Sequence, residues 1–200
     1  MMESNFYRIK LLNAVLYFAR NTKKPNLTKI LKLLYLLDFQ HFKETGYPSI
    51  NLVYYTWPLG PVPKDFYEEV KDGNVPGDFA DKCTIIPSGR WEQDFPDRNE
   101  YIFKSIKEPD MNVFSPHEIR IIENLCEIYR DATARQMKEV THLPKQPWDT
   151  TKNEKGLYQY IDYLLSIDDT SPFSIDEARE KLEEHFEILN NFGLNPKKVE

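Results

Sequence analysis

Four histidines, two cysteines and 32 acidic residues are the side chains of this 200-residue chain from which catalysis or metal binding would have to be built. His41 and Glu44 stand three apart on an expected helix and share one face, which supplies two metal ligands where zinc takes three or four from the protein. No second pair repeats that spacing. Cys83 and Cys126 allow one disulfide but neither a disulfide framework nor a zinc set. Nothing local resembles a nucleophile elbow or a reactive-cysteine signature. Gly60 precedes Pro61, and proline lacks the N–H that a phosphate-cradling loop would use. The adjacent acids Glu68 and Glu69, or Glu183 and Glu184, point apart on a helix and belong in solvent. One cluster remains, Thr141-His142 followed by Trp148. It reads either as a site or as local structure, with the histidine meeting the carbonyls of a helix C-terminus and the tryptophan anchoring the next loop. The residues therefore point to a binding protein, with no catalytic residue, metal or cofactor expected. A metal-dependent hydrolase using His41, Glu44 and His142 is the enzymatic alternative.

These side chains must be positioned by a mostly helical scaffold. Ile9, Leu12, Val15, Leu16 and Ala19 form one helical stripe over Phe6 to Arg20. Leu27, Ile30, Leu31, Leu34 and Leu37 form the next, and Leu33, Leu36 and Phe39 extend it around the cylinder, so the second helix is expected to be central and buried. Gly46, Tyr47 and Pro48 stop it; β-prone Leu52 to Tyr55 leads into a Trp-Pro-Leu-Gly-Pro-Val-Pro turn at Trp57, and Pro63 opens a short helix to Val70. Residues 71–79 read as a loop. Lys82 to Pro87 and Tyr101 to Ile106 read as an antiparallel hairpin with a long connection.

Ser115-Pro116-His117-Glu118 is a capping box with proline in the first turn, and Thr133 with Gln136 is a second, opening a helix that Pro144 cuts short. Leu157 to Ile167 is expected to be helical, with its aromatic alternation leaving a strand open. Ser174 and Glu177 cap a final acidic helix that closes near Gly193. The fold class is α+β, predominantly α-helical, with a small antiparallel β element and a C-terminal helix.

Composition sets the outer limits. A chain of 23.7 kDa with 40% hydrophobic and 14% aromatic residues can bury a substantial core. Its longest apolar runs, such as Leu33 to Leu37, fall far short of the ~20 residues that cross a bilayer, and Met1 to Arg20 lacks a signal-peptide pattern, so a cytoplasmic protein with no membrane partner is expected. Seven basic residues and no acidic one lie between Ser4 and Leu37, within a chain of net charge -6. The commoner meaning of such a run is a solvated helix face. A nucleic-acid-binding regulator is the other reading, disfavoured because the acidic whole repels phosphates.

Taken in order, Lys32 to Tyr35 in KILKLLYLLDFQHFKETGYP, Trp57 to Val62 in YYTWPLGPVPKDFYEEV, and Thr141 to Trp148 in THLPKQPW resemble the Panacea domain of the SocA-like antitoxin family. The resemblance covers roughly 6–167, leaving 168–200 as an acidic helical extension; Pro58 and Leu59 depart from its pattern. It implies an antitoxin of a bacterial or phage toxin-antitoxin pair. Such an antitoxin neutralises a cognate protein toxin, encoded by an adjacent gene, through direct binding. Some members are adaptors that deliver the toxin to a Clp protease, which makes that protease the second implied partner. By the same resemblance Trp57, Gly60, Pro61 and Val62 hold a rigid turn, with Lys32, Tyr35, Thr141, His142 and Trp148 beside it as toxin-binding candidates. The acidic last helix is expected to cover a basic toxin surface or to mimic nucleic acid.

Overall fold

A computed structural model describes residues 5–90 and 99–194. Helices α1 (Asn5–Asn21) and α2 (Leu27–Thr45) lead into a hairpin of β1 (Tyr54–Trp57) and β2 (Gly60–Pro63), then α3 (Lys64–Val70). A second hairpin, β3 (Cys83–Arg90) with β4 (Asn99–Ser105), precedes α4 (Pro116–Tyr129), α5 (Ala134–Thr141), α6 (Pro147–Lys155) and α7 (Ile175–Asn191). The architecture is mixed α+β, mostly helical, with two small antiparallel sheets. No helix among the described residues is long and apolar enough to cross a membrane.

Helix α2 is the axis. Asn26 caps its start by accepting from the Lys29 N–H at 2.9 Å, and Gly46, at φ +89°, ends it in the left-handed region that glycine tolerates. It packs against α1, α4, α5, β2 and β4, so apolar residues all round its cylinder are buried, including Ile30, Leu33, Leu34, Leu37 and Phe42. Four polar side chains are buried with them: Lys29, Lys32, Asp38 and His41. The basic run between residues 4 and 37 is therefore only in part a solvated face, with Arg20, Lys23 and Lys24 exposed. Lys29 and Lys32 are in the core, Lys10 pairs with Glu118 at 2.6 Å, Arg8 with Asp78 and Glu69 at 2.7 Å each, Lys23 with Asp131 at 2.6 Å, and Arg20 with Glu108.

Each buried polar group of α2 ties down a different stretch of chain. The Lys29 ammonium donates to the carbonyls of Lys23, Arg130 and Ala132 at 2.9–3.0 Å, closing the C-terminal end of α4. Asp38 accepts from the N–H groups of Ile50 (2.6 Å) and Leu52 (3.2 Å) and from Tyr54 OH (3.0 Å), which folds the connection after α2 back onto the helix. The Tyr163 hydroxyl lies 3.1 Å from the same carboxylate and donates to the Leu52 carbonyl at 2.6 Å. Burial pushes the Asp38 carboxyl up to about 6 despite those donors. His41 meets the Tyr47 carbonyl through Nδ1 at 2.8 Å.

Three elements differ from the sequence expectation. Gly60–Pro63 is a strand paired with β1 (Trp57 opposite Gly60, Tyr54 opposite Pro63), where a turn alone was expected. Its two prolines cannot donate, so β2 lies at the sheet edge. The segment after Gly156 is not helical. Tyr158 N–H donates to Thr56 O (2.6 Å), Thr56 N–H to Gln159 O (2.9 Å) and Ile161 N–H to Tyr54 O (2.9 Å), so this extended segment completes the free edge of β1 before a 3-10 turn at Tyr163–Ser166. Unpaired strand groups outweigh helix propensity there. Finally, the residues after Pro147 form α6, not a loop, with Pro147 in the first turn where its missing N–H costs nothing.

The expected caps and second hairpin are present, and a 3-10 turn at Lys71–Gly73 opens the stretch expected as a loop. The capping boxes at Ser115, Thr133 and Ser174 are all formed, and β3 pairs with β4, with a bulge between Pro87 and Gly89. The middle of their connection, 91–98, lies outside the described residues. Helix α7 buries Ala178 and Leu189, and its His185 stacks on Tyr47 (ring centroids 4.2 Å apart) and meets Tyr7 OH at 2.7 Å through Nε2.

Asp38→Ala leaves the donors of Ile50, Leu52 and Tyr54 buried without their acceptor, at about 1–3 kcal/mol for each unsatisfied group. Urea denaturation should show a loss of several kcal/mol. A variant within about 1 kcal/mol of the parent, against that per-group cost, would show that the carboxylate is not the tie described.

Candidate functional site

The sequence-nominated residues converge on the β1–β2 hairpin. Pro58 fixes φ near -65°, which a two-residue turn with positive φ cannot use, so the reversal is completed by Gly60 at φ +101°. That glycine is also a point of close approach. A Cβ there would stand 2.8 Å from His142 Nε2 and 2.9 Å from both Cε and Nζ of Lys32. The Lys32 ammonium donates to the Pro61 carbonyl at 2.6 Å, so β2 is pinned to α2. Val62 is buried on the same hairpin.

From the other side the α5–α6 corner closes over the turn. His142 is the residue that ends α5, and its ring lies flat on Trp148 at the start of α6, with centroids 3.7 Å apart and planes within 2°. Trp148 Nε1 donates to the Trp57 carbonyl at 3.2 Å, and Thr141 Oγ1 donates to carbonyls one turn back in α5. Thr141, His142 and Trp148 thus have local structural roles at the end of α5 and the start of α6, and His142 also stands beside Gly60. Tyr35, one turn along α2 from Lys32, is buried with Trp148 in a second apolar cluster containing Phe39, Phe42, Tyr54 and Tyr163.

Most of this assembly is interior. Lys32, Tyr35, Gly60, Pro61, Val62, Thr141 and Trp148 are buried, leaving Trp57 and His142 as the half-exposed members. Polar demand is unmet there. His142 Nε2 makes no hydrogen bond, and Lys32 meets one carbonyl where Lys29 meets three. Burial, together with the Lys138 charge, pulls Lys32 down to about 7. Burial and then the charges of Lys32, Lys138 and Lys152 pull His142 down to about 4, against only Asp149 in the opposite sense.

The exposed surroundings, which sequence reasoning missed, are aromatic and basic. Tyr158 is 62% exposed at φ +64°, a strained backbone for a tyrosine, with its ring 6.2 Å from Trp57; Tyr67 packs on Trp57 at 5.0 Å. Leu143 is 52% exposed. The Lys152 ammonium sits 5.0 Å over the Trp148 ring. The aromatic alternation of residues 157–163 was the signal for Tyr158.

The hydrolase residues do not assemble. Glu44 Oε2 meets His117 Nε2 at 2.8 Å, His41 turns to Tyr47, and His142 belongs to the Gly60 cluster. Among the described residues no group of three or more His, Cys, Asp or Glu side chains is placed to hold a metal, and Cys83 and Cys126 are separate buried thiols. Burial raises both thiols, to about 11 and about 12, away from reactive thiolate.

The fold and site define a mostly helical α+β protein whose β-hairpin is clamped between a buried lysine and a histidine–tryptophan stack. The model of the SocA-like antitoxin family, the Panacea domain, matches residues 30–149, and the chain belongs to that family. That stretch contains all nine nominated residues and omits α1 and α7. No curated protein and no solved structure matches the chain.

Gly60→Ala should destabilise the protein by about 1–3 kcal/mol from backbone strain, with a further loss from the contacts at Lys32 and His142. Thermal and urea unfolding measure this; an unchanged midpoint would remove the clamp. For His142 the folded pKa is depressed, so its stabilising contribution is complete above about 6.5 and is lost as pH falls towards about 4. His185 acts in the same sense and Asp38 in the opposite one, so the difference between parent and His142→Phe isolates it. The variant should lose less stability than the parent between those pH values. Parallel curves would refute the assignment.

Proposed function

We propose that this chain is an antitoxin that neutralises a protein toxin, encoded by the adjacent gene, through direct binding, and that the face around Trp57 and Tyr158 makes the contact. Family membership supplies the class. The single observation that carries the location is Tyr158, an exposed ring on strained backbone beside the half-exposed Trp57. A large side chain held at positive φ is destabilising and gains nothing from burial, and strain of that kind collects where a surface is shaped for a ligand.

The motif residues serve this reading as foundations. Lys32, Gly60, Pro61, Thr141 and Trp148 lie beneath the surface and fix where Trp57, His142 and Tyr158 stand. Tyrosine and tryptophan on a rigid base suit interface anchors, because they bury much area with little loss of side-chain freedom. Binding of this kind requires no catalysis by the chain. The nucleic-acid reading is less favoured: of the seven basic residues between 4 and 37, Arg8, Lys10, Arg20 and Lys23 are in ion pairs, Lys29 and Lys32 are buried, and Lys24 is exposed.

The neighbouring open reading frame should be toxic when expressed alone, tolerated when this chain is co-expressed, and co-purified with it. Tyr158→Gly with Leu143→Ser should abolish rescue while leaving the melting temperature at or above that of the parent, because glycine relieves the strain at residue 158. A harmless neighbour, or undiminished rescue by the double variant, would refute the proposal or its location, respectively.

A further inference from the structure

The charge around the candidate surface runs against the charge of the whole. The chain carries -6, yet His142 has three ammonium groups acting on it and one carboxylate. One of the three, Lys32, is fully buried, has a single carbonyl partner and pairs with no acid among the described residues. The other two, Lys138 and Lys152, also have no ion-pair partner among the described residues, although most other basic side chains of this acidic protein do. Asp149, the nearest acid, is already engaged by the Lys145 N–H at 3.0 Å. Beside these cations lies a ring nitrogen, His142 Nε2, without any hydrogen bond.

Burial and then the Lys138 charge already pull Lys32 down to about 7, so positive charge is disfavoured at this place until an anion arrives. Lys29 shows how the same helix satisfies a buried lysine when only structure is at stake, with three carbonyls around one ammonium. His142 Nε2 itself is shut in beside Gly60 and Lys32, so a group arriving from solvent meets the exposed Lys152 and the half-exposed Lys138 and His142.

We propose that Lys138, His142 and Lys152, beside Trp57 and Tyr158, receive a carboxylate-bearing segment of the protein partner. This rests on the antitoxin reading and specifies the chemistry of its partner: an acidic side chain next to an apolar or aromatic one, the acid over the His142–Trp148 stack and the apolar group against Trp57 and Tyr158. A carboxylate fits better than a nucleic-acid phosphate chain. Two cations satisfy one or two carboxylates locally, whereas a polyanion must also approach the acidic remainder of the protein.

The test uses the full chain and the purified product of the adjoining open reading frame, with affinity measured by calorimetry and foldedness by melting temperature. Lys138→Glu with Lys152→Glu should weaken binding about tenfold or more, because like charges then face each other, and Lys138→Gln with Lys152→Gln should weaken it less. Raising salt from about 0.1 M to about 1 M, which shortens the screening length from about 10 Å to about 3 Å, should weaken the parent more than the glutamine variant. Trp57→Ala should weaken binding with little change in salt dependence. Parent binding that the glutamate variant retains within about twofold overturns the carboxylate proposal and leaves the antitoxin reading standing. Absence of binding and rescue by the parent overturns both. A salt-sensitive shift of duplex DNA that depends on the same two lysines, without binding of the neighbour's product, replaces the carboxylate with phosphate and also overturns it.

Discussion

Placing ionic and polar side chains inside the central helix is the constraint on which this fold turns. Helix α2 buries Lys29, Lys32, Asp38 and His41 along one 19-residue element, in two pairs spaced three apart. Each desolvated group has to recover hydrogen bonds, and the partners available are main-chain groups of segments distant in sequence. Lys29 gathers the end of α4, Lys32 the second strand of the first hairpin, Asp38 the connection after α2, and His41 the turn at Tyr47. Apolar burial makes the helix central, but these ties decide which loops lie where. Glu118 works similarly from outside α2. It closes the capping box of α4 and also accepts from Lys10 and Ser49 at 2.6 Å each, so one carboxylate joins three segments.

This division explains what the sequence disclosed. Helix starts were readable because a cap is local: Ser115, Thr133 and Ser174 each stand three residues before their reciprocal partner. The centrality of α2 followed from its apolar girdle. The burial of Lys29 and Lys32 did not, because a lysine beside an apolar stripe has the same local pattern whether it reaches solvent or a distant carbonyl. The strand at Gly60–Pro63 and the extended segment at 158–161 were missed for a related reason. Two prolines and a glycine in four residues argue against a strand, and only the presence of β1 between the two segments makes them one. Motif resemblance supplied the nine site residues, and the structure supplied the information that seven of them are interior.

That distribution separates two jobs within one motif set. Residues such as Gly60, Pro61 and Trp148 are buried and control geometry, whereas their neighbours Tyr158, Leu143 and Lys152 are exposed and Lys138 is half-exposed. Surface residues on such a base can vary without disturbing the core that holds them. A family built this way can keep its scaffold while the chemistry of its face changes.

The hairpin at the centre of the site also fixes when that face comes into existence. Thr56 is joined through its N–H, its carbonyl and its hydroxyl to Tyr158, Gln159 and Gly156, about a hundred residues downstream. During synthesis β1 and β2 emerge early, but one edge of β1 stays open until the chain has grown past Ile161. Until then Trp57 has neither its Trp148 bond nor its Tyr158 neighbour. The surface is thus a late product of translation, assembled only after the chain has been made beyond Ile161.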